Sequence, residues 1–143
     1  MKTLISICAG LGLFFSTIPM LLASEFSMQS GKWEFSHTLK MSSLPQPVVE
    51  VSSECITPEE ASQDPLADFV DGGNCTISKR KVDGDRISFE LECREEGIIS
   101  RGKGELRGQG NTVSGFVEMT MDNPGGPMKV STRWQGKRLG SCQ

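Results

Sequence analysis

The chain has no tyrosine, one histidine and few aromatic residues of any kind, 6% of the total. A single histidine, His37, excludes zinc sites built from two or three imidazoles. No Gly-x-Ser-x-Gly elbow offers a serine nucleophile, and no glycine-rich loop follows a strand to open a helix and cradle a phosphate. No C-x₂-C pair is present, so the cysteines do not read as a zinc cluster. Acidic residues outnumber basic ones, 18 to 15, and no basic excess suits nucleic acid. No stretch keeps a long helical period. These absences point away from an enzyme and from any cofactor.

The first 23 residues carry the one long apolar run. Lys2 supplies a positive start, Leu4 to Leu22 is apolar apart from small hydroxyls, and Leu21-Leu22-Ala23 before Ser24-Glu25 is an acceptable cleavage site. Residues 1–23 are therefore expected to be a cleaved signal peptide. Residues 24–143 form one β domain of roughly 120 residues, room for a single core. The implied localisation is periplasmic or secreted, with no transmembrane segment after cleavage. Cys8 leaves with the leader. Cys55, Cys75, Cys93 and Cys142 remain, an even number that implies two bridges in an oxidising compartment.

The chain is organised around residues 74–94, two β-patterned runs flanking Asp83-Gly84-Asp85. The second run alternates, with Ile87, Phe89, Leu91 and Cys93 on one face and Ser88, Glu90, Glu92 and Arg94 on the other, the mark of a half-buried strand. A two-residue Asp83-Gly84 turn would set apolar against charged residues along the whole ladder. A three-residue loop, Asp83 to Asp85, matches Ile77 with Leu91 and sets Cys75 opposite Cys93, near the separation a disulfide needs. The rival loop Val82 to Gly84 suits Gly84 but leaves the cysteines diagonal. A Cys75–Cys93 bridge is expected, and Cys55–Cys142 then follows, though four cysteines allow three connectivities.

Residues 31–41 alternate as cleanly: Trp33, Phe35, His37, Leu39 and Met41 point one way, Lys32, Glu34, Ser36, Thr38 and Lys40 the other. A second strand, Val48 to Cys55, is expected to turn Val49, Val51, Ser53 and Cys55 inward. Thr57-Pro58-Glu59-Glu60 reads as a helix start with a capping box, broken by Asp64-Pro65, and the insert is expected to cover one end of the sheet. Further strands run from Ile98 to Arg107, Asn111 to Met121 and Met128 to Arg138. The inward sets of the last two are Val113, Gly115, Val117, Met119 and Met121, then Met128, Val130, Thr132 and Trp134. About seven strands with short connections give an all-β antiparallel meander, either a closed barrel or a strongly curled sheet.

Three candidate sites follow. An apolar ligand could lie on the inner face against Trp33, Phe35, His37, Met119, Met121 and Trp134, in space left by Gly102, Gly104 and Gly115. A soft metal such as Cu(I) or Ag(I) could be held by His37, Met41, Met119 and Met121, with Met128 near and Trp33 as a cation–π cover. The plain alternative is that these methionines are gap-filling core and His37 a hydrogen-bonded histidine. The acidic group Glu90, Glu92, Glu95 and Glu96 could do acid–base work only in a cleft that separates two pKa values. On a wet strand face it is a solvated surface.

Gly31-Lys32-Trp33-Glu34, Cys55-Ile56-Thr57-Pro58-Glu59, the Cys75 to Cys93 hairpin, Gly125-Gly126-Pro127-Met128 and Gly136-Lys137-Arg138-Leu139-Gly140-Ser141-Cys142 together resemble a bacterial exported family, domain of unknown function 3617. The resemblance implies an exported bacterial protein and transfers no catalytic residue. The Gly-x-Trp start with a late Arg is also similar to lipocalin-like barrels, an analogy of fold alone. The expected protein is a monomeric, non-enzymatic binder of a small apolar ligand. The alternatives are an interaction or inhibitor module with an envelope protein as partner, or the soft-metal binder.

Overall fold

Period-two alternation sets the architecture, because each alternating segment can bury one face only by joining a sheet. The computed structural model of the protein describes residues 25–143; the leader read from residues 1–23 lies outside them. The strands are β1 (Ser27–Met28), β2 (Gly31–Met41), β3 (Val48–Ile56), β4 (Cys75–Asp83), β5 (Arg86–Glu95), β6 (Ile98–Gly110), β7 (Thr112–Asn123) and β8 (Gly126–Gly140). Helices α1 (Pro58–Ser62) and α2 (Ala67–Val70) lie between β3 and β4.

The sheet order is β3-β2-β8-β7-β6-β5-β4, antiparallel throughout, with β1 added in parallel at the end of β6. This is a meander from β4 to β8 in which β8 returns to pair with β2. The two edge strands, β3 and β4, are consecutive in sequence yet unpaired with each other, so the sheet is curled and not closed.

Inward side chains form ladders across the sheet. One runs Glu50, His37, Trp134, Gly115, Leu106, Ile87 and Val82; the next runs Val48, Leu39, Thr132, Val117, Gly104 and Phe89. A third runs Met41, Val130, Met119, Gly102, Leu91 and Ile77. The main core gathers Leu66 of the insert with Ile87, Phe89, Leu91, Leu106 and Val117. A second cluster holds Trp33, Phe35 and Val113.

The hairpin pairs Cys75 with Cys93 and Ile77 with Leu91, as the spacing predicts, but reaches that register differently. Its turn is the two residues Gly84 and Asp85, with Gly84 at φ 58°. Asp83 pairs with Arg86, and a bulge between Ser78 and Lys81 supplies the extra residue, with Lys79 at φ 48°. The expected three-residue loop is thus replaced by a tight turn that glycine permits at its first central position. A bulge takes up the one-residue mismatch. Both cysteine pairs stand at bonding distance, with Cα–Cα separations of 4.0 Å for Cys75–Cys93 and 5.8 Å for Cys55–Cys142.

Three other expectations change. On β3, Val49, Val51, Ser53 and Cys55 pair with Thr38, Ser36, Glu34 and Lys32, the outward set of β2. They therefore face out, and Glu50, Ser52 and Glu54 face in beside His37, Phe35 and Trp33. The more apolar set is outside because pairing with β2, not burial, fixes the register of this edge strand. The insert lies on the concave face instead of over an end of the sheet: Phe69 contacts Phe89 (ring centroids 5.4 Å apart) and Trp134 (6.1 Å). The short strand β1 is an addition with no alternation to announce it. It straps β6 to β2, with Trp33 Nε1 donating to the Gln29 carbonyl at 2.9 Å and Arg138 Nε to the Ser30 carbonyl at 2.7 Å.

The inward glycines do not leave space. Phe89 lies opposite Gly104, Trp134 opposite Gly115 and Phe35 opposite Gly136, each on the neighbouring strand. A Cβ on any of these glycines would sit 2.5 Å from a ring carbon of its partner. At Gly102 the Glu118 carbonyl and the Met119 side chain fill the same place. The rings lie flat on the sheet over residues that have no side chain, an aromatic–glycine pairing that also protects the glycines.

Candidate functional site

The concave face holds a cleft of ≈ 550 Å³ between the insert and strands β2 and β3. Its floor is apolar: Phe26, Met28, Phe35, Phe69, Leu106, Val113 and Trp134. Its rim carries Glu54, Glu60, Gln63, Asp64, Asp68 and His37, and no lysine or arginine lines it. A wider depression of ≈ 840 Å³ on the outer face is bounded by Lys40, Glu90, Arg101, Lys103, Glu118 and Arg133. Several of these charges are already paired there, including Arg133 with Glu118 at 3.3 Å and Arg101 with Glu92 at 2.8 Å. The smaller cleft is the one of the two that is lined by aromatic side chains.

The insert that walls the cleft is fixed by polar contacts at both ends. Thr57 caps α1: its Oγ1 accepts from the Glu60 backbone N–H at 3.2 Å, and Glu60 Oε2 accepts from the Thr57 N–H at 2.7 Å. This is the capping box the spacing predicts. Asp64 then accepts from Arg80 Nη1 at 2.6 Å and from the Leu66 N–H at 3.0 Å, tying the insert to edge strand β4. The Thr57 N–H, and secondarily its hydroxyl, hold the Glu60 carboxyl below its ordinary 4.5. The Arg80 guanidinium, then the Leu66 N–H, hold Asp64 below 3.8.

Carboxylates depressed in the fold contribute stability that is complete above their unfolded pKa and is lost as pH falls through the folded one. Urea midpoints are therefore expected to hold steady well above pH 4.5 and to drop progressively beneath it as the depressed carboxylates, Glu60, Asp64, Asp85 and Glu92, protonate. The variant Arg80→Gln should show a shallower acid decline than the parent in the same pH series. An equal decline in both would remove Asp64 from the cause.

The structure divides the sequence-derived site residues. Phe35, His37 and Trp134 line the cleft. Trp33 is fully buried beneath the β1 strap, stacked on Phe35 at 5.8 Å, and does not reach the cleft. Met119 packs against the main core, and Met121 faces Met128 across the β7–β8 pair. His37 and Met41 stand four residues apart on β2, ~13 Å along the strand. The methionines occupy two adjacent ladders while His37 sits in another beside Trp134, so these residues are not brought together around one point. Among the described residues, no three His, Cys, Asp or Glu side chains are grouped to hold a metal ion.

Of the acidic group, Glu90 pairs with Lys79 at 2.9 Å, and Glu92 with Arg94 at 2.7 Å and Arg101 at 2.8 Å. These hydrogen bonds, Arg94 first, hold the Glu92 carboxyl below its ordinary value. The arrangement is a solvated ion-pair surface.

Sequence reasoning did not find Phe26, Phe69 or Glu54 as cleft residues. Phe69 had a signal: Leu66 and Phe69 are bulky apolar residues in an otherwise polar insert, and such residues need a surface to cover.

An open, curled antiparallel sheet with a short helical insert on its concave face defines a small all-β domain architecture. Residues 28–142 match the family described as Protein of unknown function (DUF3617), and the chain belongs to that family. Comparison with curated proteins and with solved structures gave no match. Among the described residues, no helix is long and apolar enough to cross a membrane.

Proposed function

We propose that the protein is an exported, monomeric, non-enzymatic binding domain whose concave cleft holds one small apolar ligand. The observation that carries this is the cleft itself: ≈ 550 Å³ with an aromatic and aliphatic floor, within the size range of small-molecule sites. Export is supported by the leader-like first 23 residues together with two cysteine pairs at disulfide distance. Burial of the ligand against Phe35, Phe69 and Trp134 supplies affinity, and the polar rim at Glu54, Asp68 and His37 orients any polar end toward solvent.

Ala61, the half-buried residue of α1, lines the cleft. Replacing it by tryptophan fills the cleft from a helical position that tolerates a larger side chain. The neutral dye N-phenyl-1-naphthylamine should bind the parent with enhanced fluorescence, and Ala61→Trp should weaken that binding by about tenfold or more, equivalent to losing ~1.4 kcal/mol of apolar burial. Thermal unfolding of the two proteins should coincide. Equal dye affinity in both would place the dye elsewhere and remove the support for a ligand in the cleft.

A further inference from the structure

The two edges of the open sheet are treated differently by the sequence. Natural edge strands are protected by bulges, lysines, prolines or covering elements, because a free row of N–H and C=O groups templates a new strand. Edge β4 has these protections. A bulge interrupts it at Lys79 and Arg80, Lys79 is paired with Glu90, and Arg80 is paired with Asp64 of the insert.

Edge β3 has none. Its nine residues, Val-Val-Glu-Val-Ser-Ser-Glu-Cys-Ile, contain no lysine, arginine or proline, and its pairing to β2 is unbroken from Leu39 to Gly31. Every β3 residue except Ile56 is exposed, and Val48, Val49 and Val51 keep 52%, 63% and 63% of their surface in solvent. The strand is held in place by β2 on one side and by Cys55–Cys142 at its end, so it is an ordered template. Glu50 and Glu54 form no ion pair among the described residues.

We propose that β3 is the docking edge for an extended segment of another protein, apolar on one face and basic on the other. An added strand alternates its side chains between the two faces of the sheet. One set would lie beside Val49 and Val51 on the outer face, where β-branched residues pair well. The other set would lie beside Glu50 and Glu54 on the inner face, where lysine or arginine meets two unpaired carboxylates. A second copy of this chain does not fit. Placed edge to edge, two β3 strands bring four carboxylates onto one face, and the β3 edge set against β4 meets a bulge whose cations are already engaged. The occupant is therefore a different chain of basic–apolar alternation.

The test uses the full mature protein, disulfides intact, and three labelled nine-residue probes followed by fluorescence anisotropy. The probes are an alternating Val/Lys peptide, an alternating Val/Glu peptide, and the Val/Lys peptide with every backbone amide N-methylated so that neither of its edges can join a sheet. The Val/Lys probe should bind at least about tenfold more tightly than the Val/Glu probe, and the methylated probe should not bind. The exposed double substitution Glu50→Lys/Glu54→Lys should reverse the preference, and Val51→Lys should weaken the Val/Lys probe. Equal binding of the methylated probe would reduce the effect to surface charge and overturn the proposal. So would a charge-swapped variant that keeps its preference for lysine, or a parent protein that binds no probe. Self-association abolished by Val51→Lys would assign the edge to a second copy instead. Because none of these readouts involves the apolar dye, failure here and failure of the cleft reading are separable.

Discussion

The double variant Cys55→Ser/Cys142→Ser should lose about 4–5 kcal/mol of unfolding free energy in denaturant titrations. The pair joins residues 87 apart in sequence, whereas Cys75 and Cys93 are 18 apart. In the chain-entropy account the longer loop constrains the unfolded chain more, and the short one is worth about 3 kcal/mol. The geometry adds to the difference. Cys75 and Cys93 face each other in a hairpin that its own ladder already closes, so the bridge repeats a constraint. Cys55 is on the outer face of an edge strand and Cys142 lies beyond the end of β8, which pairs with β2 and not with β3. A small domain holds about 5–15 kcal/mol in total, so losing this bridge approaches the whole reserve. Equal losses from the two double variants would mean that loop length is not what the bridges act through.

Gly104→Val should be strongly damaging, at about 3 kcal/mol or more, the upper end of overpacking costs. Its Cβ would stand 2.5 Å from Phe89 Cζ and 2.9 Å from the Phe116 carbonyl oxygen. The ring could yield, but Phe89 is 3% exposed at the centre of the core, and the carbonyl belongs to the neighbouring strand and cannot. The substitution should be strongly coupled to its partner. Combining Gly104→Ala with Phe89→Leu should cost less than the sum of the two single changes, because the smaller side chain leaves room for the new methyl. Strict additivity in that cycle would show that the ring does not depend on the glycine.

The aromatic–glycine pairs also explain how much of the fold was legible in advance. Strands β2, β5, β7 and β8 each have one apolar and one polar set, and their inward residues follow from alternation alone. The cysteine pairing follows from register, even though the turn and the bulge that produce it were read differently. Edge β3 was read inside out because pattern logic buries the more apolar set, and Val49 with Val51 outranks Glu50 with Glu54. An edge strand need not obey that logic, since its register is imposed by its single neighbour and by the Cys55 tether. Gly102, Gly104 and Gly115 were read as space. Alternation shows that a glycine points inward, but not which ring from the next strand covers it. The cleft was the least legible feature, because it depends on where a polar insert with two bulky apolar residues, Leu66 and Phe69, comes to rest.

The claim that the protein carries a small apolar ligand is tested most directly by native mass spectrometry of the mature protein, recovered from its producing cells without reductant. The account predicts a mass lacking the first 23 residues and the hydrogens of two disulfides, plus an adduct of small-lipid size that Ala61→Trp fails to retain. A clean apo mass that stays clean after incubation with a fatty acid and with a fatty amine would contradict it.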